Sequence, residues 1–396
     1  MLIRKGYKYR IYPNQAQQEA LSIQFGHTRF VYNYFLAMRR ESYQQMGKGM
    51  SYVDTANLLP GMKSSPEYAW LKEADSQALQ QALKDLDQAY QNFFAGRARY
   101  PHFKSKRGKQ RVRYPQRVKA DHKGRRTYLP KVGWVKTVFH RPMEGKVKNV
   151  VVSKTKSGRY YASFQVEEEI PEPVCQGEAV GIDLGLAHYA VLSDGMKIPN
   201  PHNLIGSQKK LARLQRQLSR RERGSGGWEK ARLQVARLQE RIADQRRDFQ
   251  HKLTRWLVEE FRVIGLESLN VKGMLGNGRL AKHIADASWG EFIRQLGYKG
   301  EWYGCRIVKV DPWYPSSKTC SECGAVMEEM PLQIRKWRCP RCQTQHDRDV
   351  NAARNILHQA TVGTTESHAG GVQVRPVVHR TQAGTQKPEA QQLAAG

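Results

Sequence analysis

Residues 180–185 read Val180-Gly181-Ile182-Asp183-Leu184-Gly185. An acid stands inside an apolar strand, flanked by glycines. Burying a lone carboxylate is costly unless a cation meets it, and a bound metal ion would do so. The next apolar run, 187–192, ends in Asp194-Gly195, a pair that favours a tight hairpin turn. Downstream, after a long helical pattern, Val263-Ile264-Gly265-Leu266 forms a second apolar strand that delivers Glu267 at its end. A third segment, Asp347-Arg348-Asp349-Val350-Asn351-Ala352-Ala353-Arg354-Asn355-Ile356-Leu357, opens a helix at Asp349, and its alanine pair permits close packing on a sheet. Alone, each segment is weak, since G-x-D-x-G is as readily a turn as a site. In this order, with strands and helix where they stand, the three imply one α/β unit with three converging carboxylates. Magnesium prefers such oxygen ligands. Two ions about 4 Å apart can activate a water and stabilise the leaving oxygen of a phosphodiester. Asp183, Glu267 and Asp349 are therefore the expected catalytic ligands of two magnesium ions.

Between the second and third segments lie Cys320-Ser321-Glu322-Cys323 and Cys339-Pro340-Arg341-Cys342. The spacing C-x2-C-x15-C-x2-C signals a zinc site, with all four positions filled by sulfur and hence structural. Gly324 follows the first pair, where a tight turn favours glycine; Gln343 follows the second and is expected to strain that knuckle. His346 is read as a bystander. Cys175 and Cys305 stand apart, which fits metal thiolates in a reducing compartment better than a disulfide framework.

Lys and Arg number 66 against 36 acids in 396 residues, a net charge of +30. That field selects polyanions, nucleic acid first; a non-catalytic polyanion binder is the alternative. No apolar run reaches membrane-spanning length and the first residues lack a secretory signal's apolar core, so no membrane role is expected. Residues 97–141 hold 16 Lys/Arg and one acid, Asp121, with Tyr100, Phe103, Tyr114, Tyr128, Trp134 and Phe139 interleaved. Such strands suit a nucleic-acid surface, although the rings individually read more readily as core.

Residues 2–11 alternate as a strand, with Ile3, Lys5, Tyr7, Tyr9 and Ile11 on one face. Asn14 and Gln17 are spaced as a capping box for the helix that follows. Helical patterns continue at 52–63 and 75–95, strands at 147–153 and 159–168, and a linker at 170–177. Residues 207–262 read as a helical hairpin broken at Gly224-Ser225-Gly226-Gly227, with one stripe of Leu211, Leu214 and Leu218 and another through Val235, Leu238, Ile242, Phe249, Leu253 and Trp256. Its 16 Lys/Arg outnumber seven acids. Residues 361–396 are poor in large apolar groups and are expected to be disordered.

Residues 1–360 resemble the TnpB family, the transposon-encoded RNA-guided DNA endonucleases related to type V CRISPR effectors. The resemblance is carried by Arg10-Ile11-Tyr12-Pro13, Thr28-Arg29-Phe30-Val31-Tyr32-Asn33, Leu129-Pro130-Lys131, Gly181-Ile182-Asp183-Leu184-Gly185, Ile284-Ala285-Asp286-Ala287-Ser288-Trp289-Gly290, Pro315-Ser316-Ser317-Lys318-Thr319-Cys320 and Asp347-Arg348-Asp349-Val350-Asn351-Ala352-Ala353. It implies a multidomain α/β protein: an RNase H-like RuvC nuclease domain with an inserted zinc ribbon, preceded by a wedge-like β-barrel carrying a helical recognition insert. The expected boundaries are wedge 1–13 and 101–172, helical insert 14–100, RuvC 177–314 and 346–360, zinc ribbon 315–345 and tail 361–396. The family's catalytic acids fall on Asp183, Glu267 and Asp349, with Asp347 a neighbour and not a ligand. Tyr52 and Gln80 match positions near the surface that reads a short motif flanking the target. The implied partners are a guide RNA from the transposon end and target double-stranded DNA, one protein per RNA, in the cytoplasm of a bacterial or archaeal cell and on its nucleoid when acting. Presence of all three acids argues against an RNA-guided regulator that binds without cutting. A strand-joining transposase is a third reading, and no tyrosine nucleophile motif supports it.

Overall fold

The computed structural model describes residues 1–331 and 333–365. Strand β1 (Leu2–Tyr12) buries Ile3, Tyr7, Tyr9 and Ile11 on one face, as alternation requires. With β2 (Gln110–Tyr114), β3 (Lys119–Asp121), β4 (Arg126–Leu129), β5 (Gly133–Val138), β6 (Lys146–Lys154) and β7 (Tyr160–Glu169) it forms a seven-stranded sheet in the order β2-β6-β7-β1-β5-β4-β3. Every pairing is antiparallel. Val112 and Tyr114 of β2 share one core with Leu129 of β4 and Val135 of β5, so the sheet curls around its own interior. Its ladder stays open, with β2 and β3 as edges, so it is barrel-like without closure.

Between β1 and β2 lie α1 (Gln15–Met46), α2 (Tyr52–Ser64), a 3-10 turn (Pro66–Glu73) and α3 (Ser76–Phe94). Asn14 and Gln17 make the expected reciprocal cap of α1, which stops at left-handed Gly47. Val31, Phe35 and Leu36 of α1 pack with Leu79, Leu83 and Leu86 of α3 in a separate core.

The second sheet contains β8 (Ala179–Asp183), β9 (His188–Leu192), β10 (Lys197–Pro199), β11 (Val263–Leu266) and β12 (Arg306–Lys309), in the order β10-β9-β8-β11-β12. The two hairpins are antiparallel; β8, β11 and β12 run parallel. The helices are α4 (Asn203–Ser219), α5 (Gly226–Glu260), short α6 (Val271–Met274) and α7 (Ala281–Ala287), α8 (Trp289–Tyr303) and α9 (Arg348–Thr365). Val180, Ile182, Ile264 and Leu266 point into a core with α5 and α8, built on Leu253, Leu257, Phe292 and Leu296. Period-two geometry turns Gly181 and Gly265 to the opposite face, where α9 lies. A Cβ at Gly181 would collide with the Ala353 carbonyl, and one at Gly265 would stand 2.8 Å from the Ala360 methyl. Glycine in the strands and alanine in the helix thus bring backbone against backbone.

The stripe of Leu211, Leu214 and Leu218 is only half-buried, and α4 has no buried residue; it leans on α5 from the solvent side. Helix α9 runs on to Thr365, because Ala360 still packs on Gly265, so the start of the expected disordered tail is helical. Residues 366–396 lie outside the described residues. Of the interleaved rings, Tyr114 is core, whereas Tyr100, Phe103 and Trp134 are exposed. Among the described residues no helix is long and apolar enough to cross a membrane.

Candidate nuclease centre and zinc ribbon

Asp183 ends β8 and Glu267 follows β11. The register Leu266↔Ile182 places them side by side at the same edge of two parallel strands. The Leu184 N–H donates to Glu267 Oε1 at 3.2 Å, which fixes that carboxyl across the strand end. Asp349 arrives in the first turn of α9. Burial raises the Asp183 carboxyl well above the usual range, and the negative charges of Glu267 and then Asp349 push it further. Burial also lifts Glu267 to about 7, against the pull of the Leu184 N–H. The three expected acids therefore share one electrostatic site, although they come from positions 183, 267 and 349 of the chain.

Among the described residues no cation forms an ion pair with Asp183 or Glu267, while Arg335 Nη1 lies 3.2 Å from Asp349 Oδ1. Buried Asp183 and Glu267, with no ion-pair partner, suit a divalent ion, which would reverse their raised affinity for protons. A small cleft lined by Glu267, Ser268, Asp311, Tyr314, Ser316 and Ile356 opens beside them. Asp347 has a different part. Its Oδ1 accepts the N–H groups of Asp349 (3.1 Å) and Val350 (3.2 Å), capping α9, and its Oδ2 accepts from Lys197 at 2.7 Å.

The four cysteines do come together. Their sulfurs all lie within 4.8 Å of one another, the only such group of three or more metal-ligating side chains among the described residues. Cys320–Cys342 and Cys323–Cys339 are each separated by 3.6 Å. A disulfide requires about 2.05 Å; sulfurs around one tetrahedral zinc at 2.3 Å would be roughly 3.8 Å apart. The spacing therefore fits zinc. Both knuckles repeat one backbone pattern: Gly324 N–H donates to Cys320 O and Gln343 N–H to Cys339 O, each at 2.9 Å. Gly324 sits at φ +71° and Gln343 at φ +63°, so the second knuckle carries the expected left-handed strain. Cys342 is held down to about 6 by hydrogen bonds from Thr344, which favours its thiolate.

Three side chains carry more than their sequence suggested. His346 stays outside the group of four sulfurs, yet it packs the knuckle: Nε2 lies 3.1 Å from Cys320 Sγ, and its buried ring tilts over Trp337 at 4.7 Å. Asn351 and Asn355 of α9 donate to the Thr319 carbonyl at 2.7 and 2.6 Å, and Asn351 accepts the Ser321 N–H at 2.9 Å. These asparagines tie the first knuckle to the helix that carries Asp349. Their i, i+4 spacing on the face away from Ala353 was the available signal.

Tyr52 begins α2 with Lys84 Nζ 5.7 Å from its ring centre, and exposed Gln80 stands one turn before Lys84 on α3, so both border one surface.

A Streptomyces pristinaespiralis protein bearing the name of an RNA-guided DNA endonuclease is 39% identical over all of this chain and 98% of its own length. The chain belongs to the TnpB family. Another relative, named for the RNA-guided DNA endonuclease InsQ of Escherichia coli, is 39% identical over 89% of this chain and 91% of its own length. Family models match this TnpB-family chain at residues 1–48 ("Helix-turn-helix domain"), 163–278 ("Probable transposase") and 289–356 ("Cas12f1-like, TNB domain"). Residues 1–48 fold as one strand and one long helix. A solved mini-RNA-guided endonuclease, CRISPR-Cas_phi3, matches in fold with a TM-score of 0.52 at 10% identity, over 91% of this chain and 93% of that one.

Proposed function

We infer that this protein is an RNA-guided DNA endonuclease of the RuvC type, with Asp183, Glu267 and Asp349 as its catalytic acids. The observation that supports the reading is that Glu267 and Asp349, from the end of β11 and the start of α9, both act electrostatically on the buried Asp183 at the end of β8, in a chain whose relatives bear that name. The sheet order, two hairpin strands beside three parallel ones with a helix on each face, fits an RNase H-like domain. The curled sheet fits the wedge, α1–α3 the recognition insert and the four-cysteine segment a zinc ribbon.

Magnesium ions bound by the three acids would supply an activated water and charge neutralisation at the leaving oxygen. The protein's own part is placement. The β8–β11 register fixes two carboxyls, the Leu184 N–H holds one of them, and the Asp347 cap fixes the turn bearing Asp349. Arg335 holds Asp349 before an ion does and is free to turn outward, since its side chain is 60% exposed. Base pairing of guide to target would read the sequence, and the protein the flanking motif and heteroduplex shape. Tyr52 and Gln80 border the surface proposed for that motif. The net charge of +30 suits one long RNA and its DNA.

The test is cleavage of target DNA by the chain with its copurifying RNA, with and without magnesium, beside Asp183→Ala. Loss of cutting without magnesium and in the variant is expected. Equal cutting by wild type and variant would overturn the site; RNA-dependent binding with no cutting by either would favour the regulator.

A further inference from the structure

A cleft of about 480 Å³, lined by none of the three acids, lies where α1 and α3 of the helical insert meet β2. Irregular residues 102–109 form one wall. Asn33 of α1 pins that wall in place, its Nδ2 donating to the Lys104 carbonyl at 2.9 Å and its Oδ1 accepting the Lys104 N–H at 2.8 Å. The opening is therefore built rather than left by a slack loop.

Its lining is one-sided in charge. Arg29, Lys104, Lys109, Arg111 and Arg113 face a single acid, Asp85. Asp85 is already taken, lying 3.4 Å from Arg113 and 3.9 Å from Arg111. Lys104 is left with no carboxylate: its ammonium sits 3.4 Å from the centre of the Tyr32 ring and forms no ion pair among the described residues. Burial pulls that ammonium down to about 8, with Asp85 opposing and Arg111 and Arg113 assisting. A desolvated cation that forms no ion pair, beside further cations, is a site arranged for an anion. Phe103 adds a second chemistry. Its ring lines the cleft, is half exposed, and has the Arg40 guanidinium 5.9 Å from its centre.

We propose that this cleft binds one unpaired nucleotide, its phosphate toward Lys104 and Arg29 and its base against Phe103. The volume is that of a small-ligand pocket, too small for a duplex, and cations beside an open ring are how single strands are held. The nucleotide belongs to a single strand or is free; the chemistry is the same, and the test separates the sources. The single-strand source rests on the function inferred above.

The experiment measures binding by the full chain of a fluorescent single-stranded RNA, the matching single-stranded DNA and AMP, in wild type, Lys104→Met and Arg29→Gln. Methionine keeps the apolar stem on Tyr32 and removes the charge. The single strand the cleft prefers should bind Lys104→Met roughly tenfold more weakly, with the slope of log K against log salt shallower by about one. Thermal stability of that variant should equal or exceed wild type, which excludes misfolding. AMP displacing the strand only at high concentration would assign the site to a strand nucleotide; AMP binding tightly alone would assign it to a free one. RNA, DNA and AMP all binding both variants as wild type does would overturn the proposal. Guided cutting by wild type in that same preparation would then leave the endonuclease reading standing; absence of wild-type cutting would count against that reading and not against the cleft.

Discussion

Replacing Glu267 by Gln should stabilise the ion-free protein at alkaline pH. Burial holds the Glu267 carboxyl at about 7 against its ordinary 4.5. The unfolded chain releases this proton near 4.5, whereas the folded chain keeps it until about 7. Stability therefore falls as pH rises through that window and levels off above it. A difference of about 2.5 units corresponds to roughly 3 kcal/mol at pH 8. Glutamine carries no such penalty, and its carbonyl can still accept the Leu184 N–H that now meets Oε1. The gap between variant and wild type should grow from near zero at pH 4.5 to about 3 kcal/mol at pH 8. Urea unfolding in a chelating buffer, followed by circular dichroism across that range, measures it. Millimolar magnesium should narrow or invert the gap, because ions that bind the folded state stabilise wild type and find one ligand fewer in the variant. A variant no more stable than wild type at pH 8, or a gap independent of pH, would refute the argument that this glutamate is held uncompensated.

Further outcomes follow from the same contacts. Asp183→Asn should leave RNA binding unchanged and lower guided cutting by more than about a thousandfold, read in a single-turnover assay. Cys320→Ser, or chelation of zinc, should raise amide exchange across residues 315–345 and slow cutting; full cutting by a protein shown to be zinc-free would dissociate the ribbon from the site. Asn355→Ala removes hydrogen bonds to the Ser316 and Thr319 carbonyls and should cost about 1–3 kcal/mol, with faster exchange in the first knuckle than in the second. Gln343→Gly relieves a left-handed φ of 63° and should stabilise the zinc-bound ribbon by up to about 1 kcal/mol, less the contribution of the Gln343 Nε2 bond to Pro340 O; a clear loss in thermal unfolding would contradict this.

The elements most legible in the sequence were those where one local rule decided the outcome. The alternation of Ile3 to Ile11, the Asn14 and Gln17 box and the paired C-x2-C knuckles each depend on neighbours a few residues apart. The strand-end positions of Asp183 and Glu267 were legible because a carboxylate at an apolar strand stands out. What the sequence did not yield depends on distant partners. His346 gains its place only when the knuckles fold around it, Leu211 is half-buried because α4 lies outermost, and α9 extends to Thr365 because Gly265 makes room for Ala360. The cleft beside Lys104 was hidden for the same reason: Arg29, Asp85 and Arg111 come from three elements whose meeting no periodicity announces.

The glycine at 181 carries a consequence for reading kindred sequences. No side chain fits there, since the Ala353 carbonyl occupies the space. A copy with alanine at 181 would keep every acid and every thiol, yet its last helix would be levered off the sheet and Asp349 moved out of reach of its partners. If the three acids hold magnesium as inferred above, such a copy would be silent while passing any inventory of ligands. Whether an inherited copy still cuts is thus written as much in the residues that make room as in those that bind.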